Sequence, residues 1–313
     1  MKYAISIKLS ELGYTPYIIG TFYDLNSDIS FIKRNTNLII INNFSEIKPN
    51  DYEILMVNSD QTWRKKYISI FYDFAFLCFA RNWKKYKFIY GASLGSALWK
   101  LNKTDEKIAK ICLKDFKGIS VREIGAVNRI EKHLGIKPKF VLDPTFLINE
   151  KEYLNIINDY KNINHLNNDY IFTYLFSEEK EIVKFIKDSS VQLNYSVHKV
   201  KKYHLNSIKK FIYGIYNCKA VITNSYHGTI FSIIFKKTFI TFIYKDGNND
   251  RFDSLKEILH IGNRIVEYNK KPNISLLTTP LNINQSYIES LKIQSIDYIK
   301  KNLNDYKKEN NYF

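Results

Sequence analysis

No stretch of this chain approaches the ~20 uninterrupted apolar residues that a bilayer crossing requires, so a membrane-spanning helix is not expected. The segment Met1 to Ser10 has neither a long apolar region nor a cleavage site; no signal peptide is expected, and the chain is assigned to the cytoplasm. Cysteine is scarce. Cys78, Cys112 and Cys218 are widely spaced and form no CxxC pair, which argues against a zinc or dithiol site and predicts buried free thiols. Arginine is scarce as well: among 47 basic residues, only positions 34, 64, 81, 122, 129, 251 and 264 are Arg. No solenoid-type repeat is visible.

The sequence does carry a large basic excess, 47 Lys and Arg against 31 Asp and Glu, a net charge of +16. That excess is spread along the chain rather than gathered on one segment, so nucleic acid is not the expected partner. Peripheral contact with an anionic membrane fits better, since each cation near such a surface contributes ~1 kcal/mol. With 313 residues, 45% of them hydrophobic and 25% charged, a peptide, a disulfide scaffold and wholesale disorder are excluded. Two domains or one large α/β unit are expected.

Short β-rich runs alternate with longer amphipathic segments, the pattern of crossovers in a parallel sheet. The first series is Tyr17 to Gly20, Leu38 to Ile41, Ile54 to Val57, Phe88 to Ala92, Ile119 to Arg122 and Phe140 to Leu142. The second is Tyr170 to Phe176, Tyr195 to Val200, Ala220 to Thr223, Phe239 to Tyr244 and Arg264 to Tyr268. Between them the chain turns polar and Asn-rich, which puts the boundary between 150 and 168 and divides the chain into 1–155 and 156–313. Two Rossmann-like halves are the expected α/β architecture, with a closing helix over Gln285 to Tyr306.

Ligands of open α/β sheets bind beyond the carboxyl ends of the strands, so polar residues placed just after strands are the candidates for chemistry. Asn58-Ser59-Asp60-Gln61-Thr62-Trp63-Arg64 packs a carboxylate, amides and hydroxyls into one loop suited to a polyol; the plainer alternative is a helix cap from Ser59 or Asp60. Gly91-Ala92-Ser93-Leu94-Gly95-Ser96 offers small residues that a ligand could approach closely. Arg122 stands at a strand end in a chain that otherwise favours Lys, which suggests a planar fork for carboxylate or phosphate, or else a structural pair with Glu123 or Asp143. Asp143 either orients Arg122 or forms the turn before Pro144. Thr223-Asn224-Ser225-Tyr226-His227-Gly228-Thr229 turns a strand directly into an apolar helix. His227 there sits beside free N–H groups and the positive end of a helix dipole, which favour an anion and a neutral imidazole. His133, His165, His198, His204 and His260 lack such a setting and read as filler. Arg251, in Lys245-Asp246-Gly247-Asn248-Asn249-Asp250-Arg251-Phe252, is a second strand-end Arg or a solvated turn cation.

In order and spacing, Asn58 to Trp63, Gly91 to Gly95, Ser120-Val121-Arg122-Glu123, Val141 to Thr145, Ser225 to Gly228 and Asp250-Arg251-Phe252 resemble the polysaccharide pyruvyl transferase family over about residues 1–265. The resemblance implies two facing domains like those of GT-B glycosyltransferases, residues 1–155 on the acceptor side and 156–313 on the donor side. It implies phosphoenolpyruvate as donor substrate, no cofactor, and a sugar diol of an oligosaccharide or lipid-linked glycan as acceptor, in exopolysaccharide biosynthesis. Arg122 and Arg251 would grip carboxylate and phosphate, the Ser225–Gly228 helix terminus would share the phosphate, and His227 would bind phosphate or move a proton. Asp60, with Asn58 and Gln61, would hold or deprotonate the sugar, with Ser93 lining the site; which of His227 and Asp60 is the acid stays open. No metal is required.

Two departures from the family pattern stand out. The third-strand motif usually opens with Gly where this chain has Asn58. Family members also begin with a strand and a Gly-bearing loop before a helix like Tyr3 to Leu12, whereas Met1 here falls inside that helix, so the first strand of the N-terminal domain is expected to be missing. The expectation is a coding start further upstream, the alternative an impaired protein. A nucleotide-sugar glycosyltransferase of shared architecture and a glycan-binding remnant are the competing functions.

Overall fold

The computed structural model describes residues 1–21, 33–68, 72–161, 169–200, 207–244 and 249–310. Helix α1 (Lys2–Glu11) leads into six short strands, β1 (Tyr17–Thr21), β2 (Asn37–Ile41), β3 (Ile54–Asn58), β4 (Tyr86–Tyr90), β5 (Ser120–Val121) and β6 (Lys139–Phe140). Among them, α2 (Lys103–Leu113) separates β4 from β5, and α3 (Ile124–Leu134) separates β5 from β6. After α4 (Glu150–Ile156) come β7 (Tyr170–Tyr174), α5 (Lys180–Leu193), β8 (Ser196–Lys199), α6 (Ser207–Asn217), β9 (Ala220–Thr223), α7 (Tyr226–Ile234), β10 (Thr238–Ile243), α8 (Asp250–Leu259), β11 (Ile265–Glu267) and the long α9 (Gln285–Asn310). Each expected strand is present to within a few residues.

Every ladder is parallel. The C-terminal strands form one continuous sheet in the order β11-β10-β9-β7-β8. Its inner strands are buried on both faces, as Ala-Val-Ile-Thr in β9 and Thr-Phe-Ile-Thr-Phe-Ile in β10 require, while the edge strand β8 reads Ser-Val-His-Lys and is mostly exposed. In the N-terminal half, β1 pairs with β2 and β3 with β4. Bridges at Phe88–Gly118 and Ala92–Val121 continue the second pair into β5 and β6. Among the described residues the β1–β2 pair shares no ladder with β3 or β4.

Two apolar layers enclose the N-terminal strands. On one face Trp63, Phe76, Ile89, Leu113, Val121 and Ile130 pack together; on the other, Ile5 of α1 and Ile299 and Leu303 of α9 cover Tyr90, Val141 and Leu147. The closing helix, expected as part of the C-terminal unit, therefore returns to the N-terminal strands. Ile288 and Leu291 at its start touch the C-terminal core, but further along Ser295 Oγ accepts from Leu142 N at 2.9 Å and Tyr298 donates to Ile89 O at 2.9 Å. Asn302 lies so close to Gly118 that any Cβ there would collide with it. Tyr153 and Ile156 of α4 lie in a core cluster that both halves share, which holds Ala4 and Leu142 beside the C-terminal residues, with Tyr153 edge-on to Phe231 at 4.8 Å.

The expectation of three free thiols fails for two of them. Cys78, in a turn after the first layer's aromatic cluster, is disulfide-bonded to Cys112 of α2, a pairing that fold proximity creates across a sequence separation of 34. Cys218 is free and buried, and burial pushes its thiol up to about 12, which makes it inert. Among the described residues no helix is long and apolar enough to cross a membrane.

Candidate functional site

The loops after β3, β4, β5, β6 and β9 and the start of α8 converge between the two halves. Arg122 is the centre of the cluster. Its side chain is fully buried, its Nη1 is ion-paired with Asp143 Oδ2, and its Nη2 lies 3.4 Å from Asp60 Oδ1. Asp143 does both things the sequence left as alternatives: Oδ2 holds Arg122, while Oδ1 accepts from Thr145 N at 3.0 Å and Thr145 Oγ1 at 2.6 Å, capping the turn that Pro144 begins. Burial alone would raise the Asp143 carboxyl, but Arg122, His227 and the Thr145 hydrogen bonds outweigh it and hold the pKa at about 2. The Met1 thioether also reaches this cluster, 2.9 Å from Arg122 Nη1 and 3.6 Å from Ser59 Oγ.

From the C-terminal half, Tyr226 presents its ring to two guanidiniums, Arg122 at 5.3 Å and Arg251 at 4.8 Å. Arg251 makes no ion pair among the described residues; burial and the neighbouring Arg122 both disfavour its charge. A carboxylate or phosphate beside it would relieve that repulsion. His227 occupies the first turn of α7. Burial pulls its pKa down to about 4 against the opposing pull of Asp143, so the imidazole is neutral at pH 7, with burial rather than the helix dipole as the main cause.

Glu123 follows Arg122 directly but takes no part in its ion pairs. Its side chain is buried, Ser93 Oγ donates to Oε1, and its pKa is raised to about 7, mainly by burial, with Arg122 opposing and Asp250 assisting. Asp60 is the exposed member, its side chain 67% accessible. Its Oδ1 accepts from Gln61 N at 2.8 Å, and although desolvation pushes the carboxyl up, Arg122 and His227 pull harder and keep it ionised.

The structure brings Asp60, Arg122, His227 and Arg251 into one cluster. The other sequence candidates stand differently. Asn58 accepts from Ser59 N at 2.7 Å and Gln61 from Arg64 Nη1 at 2.7 Å, so both amides brace the loop that carries Asp60. Ser93 lies buried beneath the site as the partner of Glu123 rather than lining it. Ser225 caps α7 by accepting from Gly228 N at 3.3 Å, which occupies the N–H offered above to phosphate. Gly228 answers a packing need: a Cβ there would lie 2.5 Å from Thr223 Oγ1. Lys245 to Asn248 and the filler residues His165 and His204 lie outside the described residues.

Sequence reasoning missed Tyr226 and undervalued Glu123. Both sit inside the singled-out motifs, next to His227 and Arg122, but nothing in a linear string says that one ring will meet two guanidiniums from different halves. The seam that joins the halves was also unseen: Arg129 of α3 pairs with Asp250 of α8, and Ile124 N donates to Ser254 Oγ at 3.0 Å.

An accounting of unpartnered buried atoms supports the location. Of eight buried side-chain atoms without a hydrogen-bond partner among the described residues, Arg122 Nε, Glu123 Oε2, His227 Nε2 and Arg251 Nε gather here; Thr62 Oγ1, Lys87 Nζ, Arg129 Nε and Ser189 Oγ are the others. Such atoms are costly where they have no purpose. Among the described residues no group of His, Cys, Asp and Glu side chains is arranged to hold a metal ion.

In overall fold the chain is similar to UDP-GlcNAc 2-epimerase from Neisseria meningitidis bound to UDP-GlcNAc, with a TM-score of 0.57 and 10% identity over 96% of this chain and 95% of that one. A weaker similarity links it to Anabaena HepE in complex with UDP and glucose, with a TM-score of 0.47 and 9% identity over 99% and 96% of the two chains. The architecture is thus two Rossmann-like halves in the GT-B arrangement. No curated protein matches the chain in sequence. The profile described as polysaccharide pyruvyl transferase matches residues 7–246, the span that carries every strand-end motif of the cluster except the start of α8. By that match over most of its length, the chain belongs to the polysaccharide pyruvyl transferase family.

Proposed function

We propose that this protein transfers pyruvate from phosphoenolpyruvate to two hydroxyls of a sugar as a cyclic ketal, on a glycan destined for a surface polysaccharide. The observation that carries the reading is the convergence of unpartnered buried atoms on Arg122, His227 and Arg251. Two guanidiniums flanking one ring make a cradle for a small molecule with two anionic ends. Arg251, which makes no ion pair among the described residues, is the natural holder of the phosphate. Arg122, with one face spent on Asp143, offers its Nε edge to the carboxylate.

The chemistry then needs little more than positioned protons. Protonation of the methylene carbon makes the adjacent carbon electrophilic; one sugar hydroxyl adds, phosphate leaves with the bonding pair, and the second hydroxyl closes the ring. Neutral His227, with Nε2 unpartnered, is suited to accept the proton of the attacking hydroxyl. Exposed and ionised, Asp60 is suited to hold the sugar.

The test is to incubate the protein with phosphoenolpyruvate and galactoside acceptors, expecting release of phosphate and a product heavier by one pyruvate ketal. Stabilisation by a nucleotide sugar but not by phosphoenolpyruvate would instead favour a glycosyltransferase. Glycan binding that survives His227→Ala, with no response to either donor, would favour a binding protein.

A further inference from the structure

The reaction requires an acid for the enol carbon, and the ionised Asp60 and neutral His227 do not supply one at neutral pH. We propose that Glu123 is that acid, and that Ser93 is the positioning residue that directs its proton. The inference rests on the transfer reading above and adds to it a catalytic residue and the direction of proton flow.

Geometry supports it in three ways. Glu123 is wholly buried yet forms no ion pair among the described residues, although Arg122 is its chain neighbour; the Arg122 fork is taken by Asp143 and Asp60. A buried carboxyl without a counter-charge is expensive unless it is neutral. Glu123 is the N-cap of α3 but does not cap it with its side chain, so the usual structural use of an acid at that position is not made. Finally, the Ser93 hydroxyl donates to Oε1, which leaves the carboxyl proton to Oε2, one of the unpartnered atoms that converge on the site.

The groups facing Glu123 come from each packed element: Ser93 from the loop after β4, Arg122 from the loop after β5, Tyr226 from α7, and Asp250 and Arg251 from α8. Burial raises its pKa to about 7, so Glu123 holds its proton below that pH and loses it above. In the step, the proton passes from Glu123 Oε2 to the methylene carbon, whose π electrons form the new C–H bond. The sugar oxygen bonds to the adjacent carbon and gives its proton to His227 Nε2. Phosphate departs with the C–O pair, and the second hydroxyl captures the cation and surrenders its proton to phosphate. Return of the His227 proton to Glu123 through water restores both groups.

The test uses the full chain with phosphoenolpyruvate and a galactoside acceptor. Expected for the wild type is a kcat that falls as pH rises through about 7, with a lower limb near 4 set by His227. Glu123→Gln should lower kcat by roughly 100-fold or more while phosphoenolpyruvate still raises the melting temperature. Ser93→Ala, which removes a donor that favours the ionised form, should move the upper limb to higher pH. The proposal is overturned if Glu123→Gln retains activity within a few-fold of wild type, or if it and Ser93→Ala both leave the upper limb in place. A wild-type protein that turns over no phosphoenolpyruvate sinks the transfer reading and this inference with it. An active wild type with an active Glu123→Gln sinks this inference alone.

Discussion

In the N-terminal half, two buried carboxylates are held in opposed pairs, Asp143 with Arg122 and Asp105 with Lys65 and Tyr72, Asp105 also completing a capping box with Asn102, while Lys87 and Glu123 are buried with no ion pair among the described residues. In the C-terminal half the basic site residues are arranged differently. Arg251 and His227 have no ionic partner among the described residues, and the buried Arg264 is satisfied by carbonyls instead, donating to Leu276 O at 2.6 Å and Thr279 O at 2.7 Å. The sheets differ in the same sense. The C-terminal half has an unbroken five-stranded sheet under its site loops; the N-terminal half has shorter ladders tied together by side chains and two bridges. The difference teaches that Asp143 and Asp105 tie one half of this cleft together through ion pairs, while the other half presents Arg251, a buried guanidinium with no ionic partner among the described residues, to whatever enters.

The largest expected effect tests the first part of that contrast. Asp143→Ala leaves the buried Arg122 with only its longer contact to the exposed Asp60, with an expected loss of about 3–5 kcal/mol in urea unfolding at pH 7. Because the folded pKa of Asp143 lies near 2, below its unfolded value, the stabilisation is present above the unfolded pKa and fades as pH falls through about 2; wild type and variant should converge there. A loss below 1 kcal/mol would mean that the pairing is not what holds this half together.

Next in size is the covalent tie of the same half. Cys112→Ser opens a loop spanning a sequence separation of 34, and chain entropy predicts a loss of about 3–4 kcal/mol relative to the oxidised protein. Equal stability of wild type and variant under oxidising conditions would show that the bond contributes nothing.

Glu123→Gln sharpens the contrast by pH. The wild-type carboxyl has a folded pKa raised to about 7, so its ionisation costs stability as pH rises from the unfolded value through 7. The variant should therefore be more stable than wild type by on the order of 2–3 kcal/mol at pH 8 and no different at pH 4. A gain that does not depend on pH would remove Glu123 from the set of titrating groups.

The smallest effect belongs to the other half. Arg251→Gln removes a charge that the fold does not neutralise, so stability should change by less than about 0.5 kcal/mol while the KM for phosphoenolpyruvate rises steeply. A large fall in stability would erase the distinction between the halves.

The strands were legible because hydrophobic runs such as Ala220 to Thr223 and Phe239 to Tyr244 sit between unmistakable polar turns, and a parallel strand buried on both faces leaves that trace. Arg122, His227 and Arg251 were legible as strand-end residues of unusual type in a lysine-rich chain. Gly228 was misjudged because a glycine at a helix start reads the same whether a ligand or Thr223 needs the space. The Cys78–Cys112 pair was invisible because only tertiary packing brings that turn to α2. Glu123 and Asp143 were both read as partners for Arg122; the ion pair goes to Asp143, on the loop after the next strand, while Glu123 accepts from Ser93.

Helix α9 leaves the C-terminal core at Ile288 and Leu291 and ends against Tyr90, Val141 and Leu147 of the other half. Modular exchange of halves between family members must therefore move residues 285–310 together with the N-terminal strands. A chimaera joined anywhere near residue 156, with a foreign tail, would uncover the face that Ile299 and Leu303 shield and would set a different side chain where Asn302 meets Gly118.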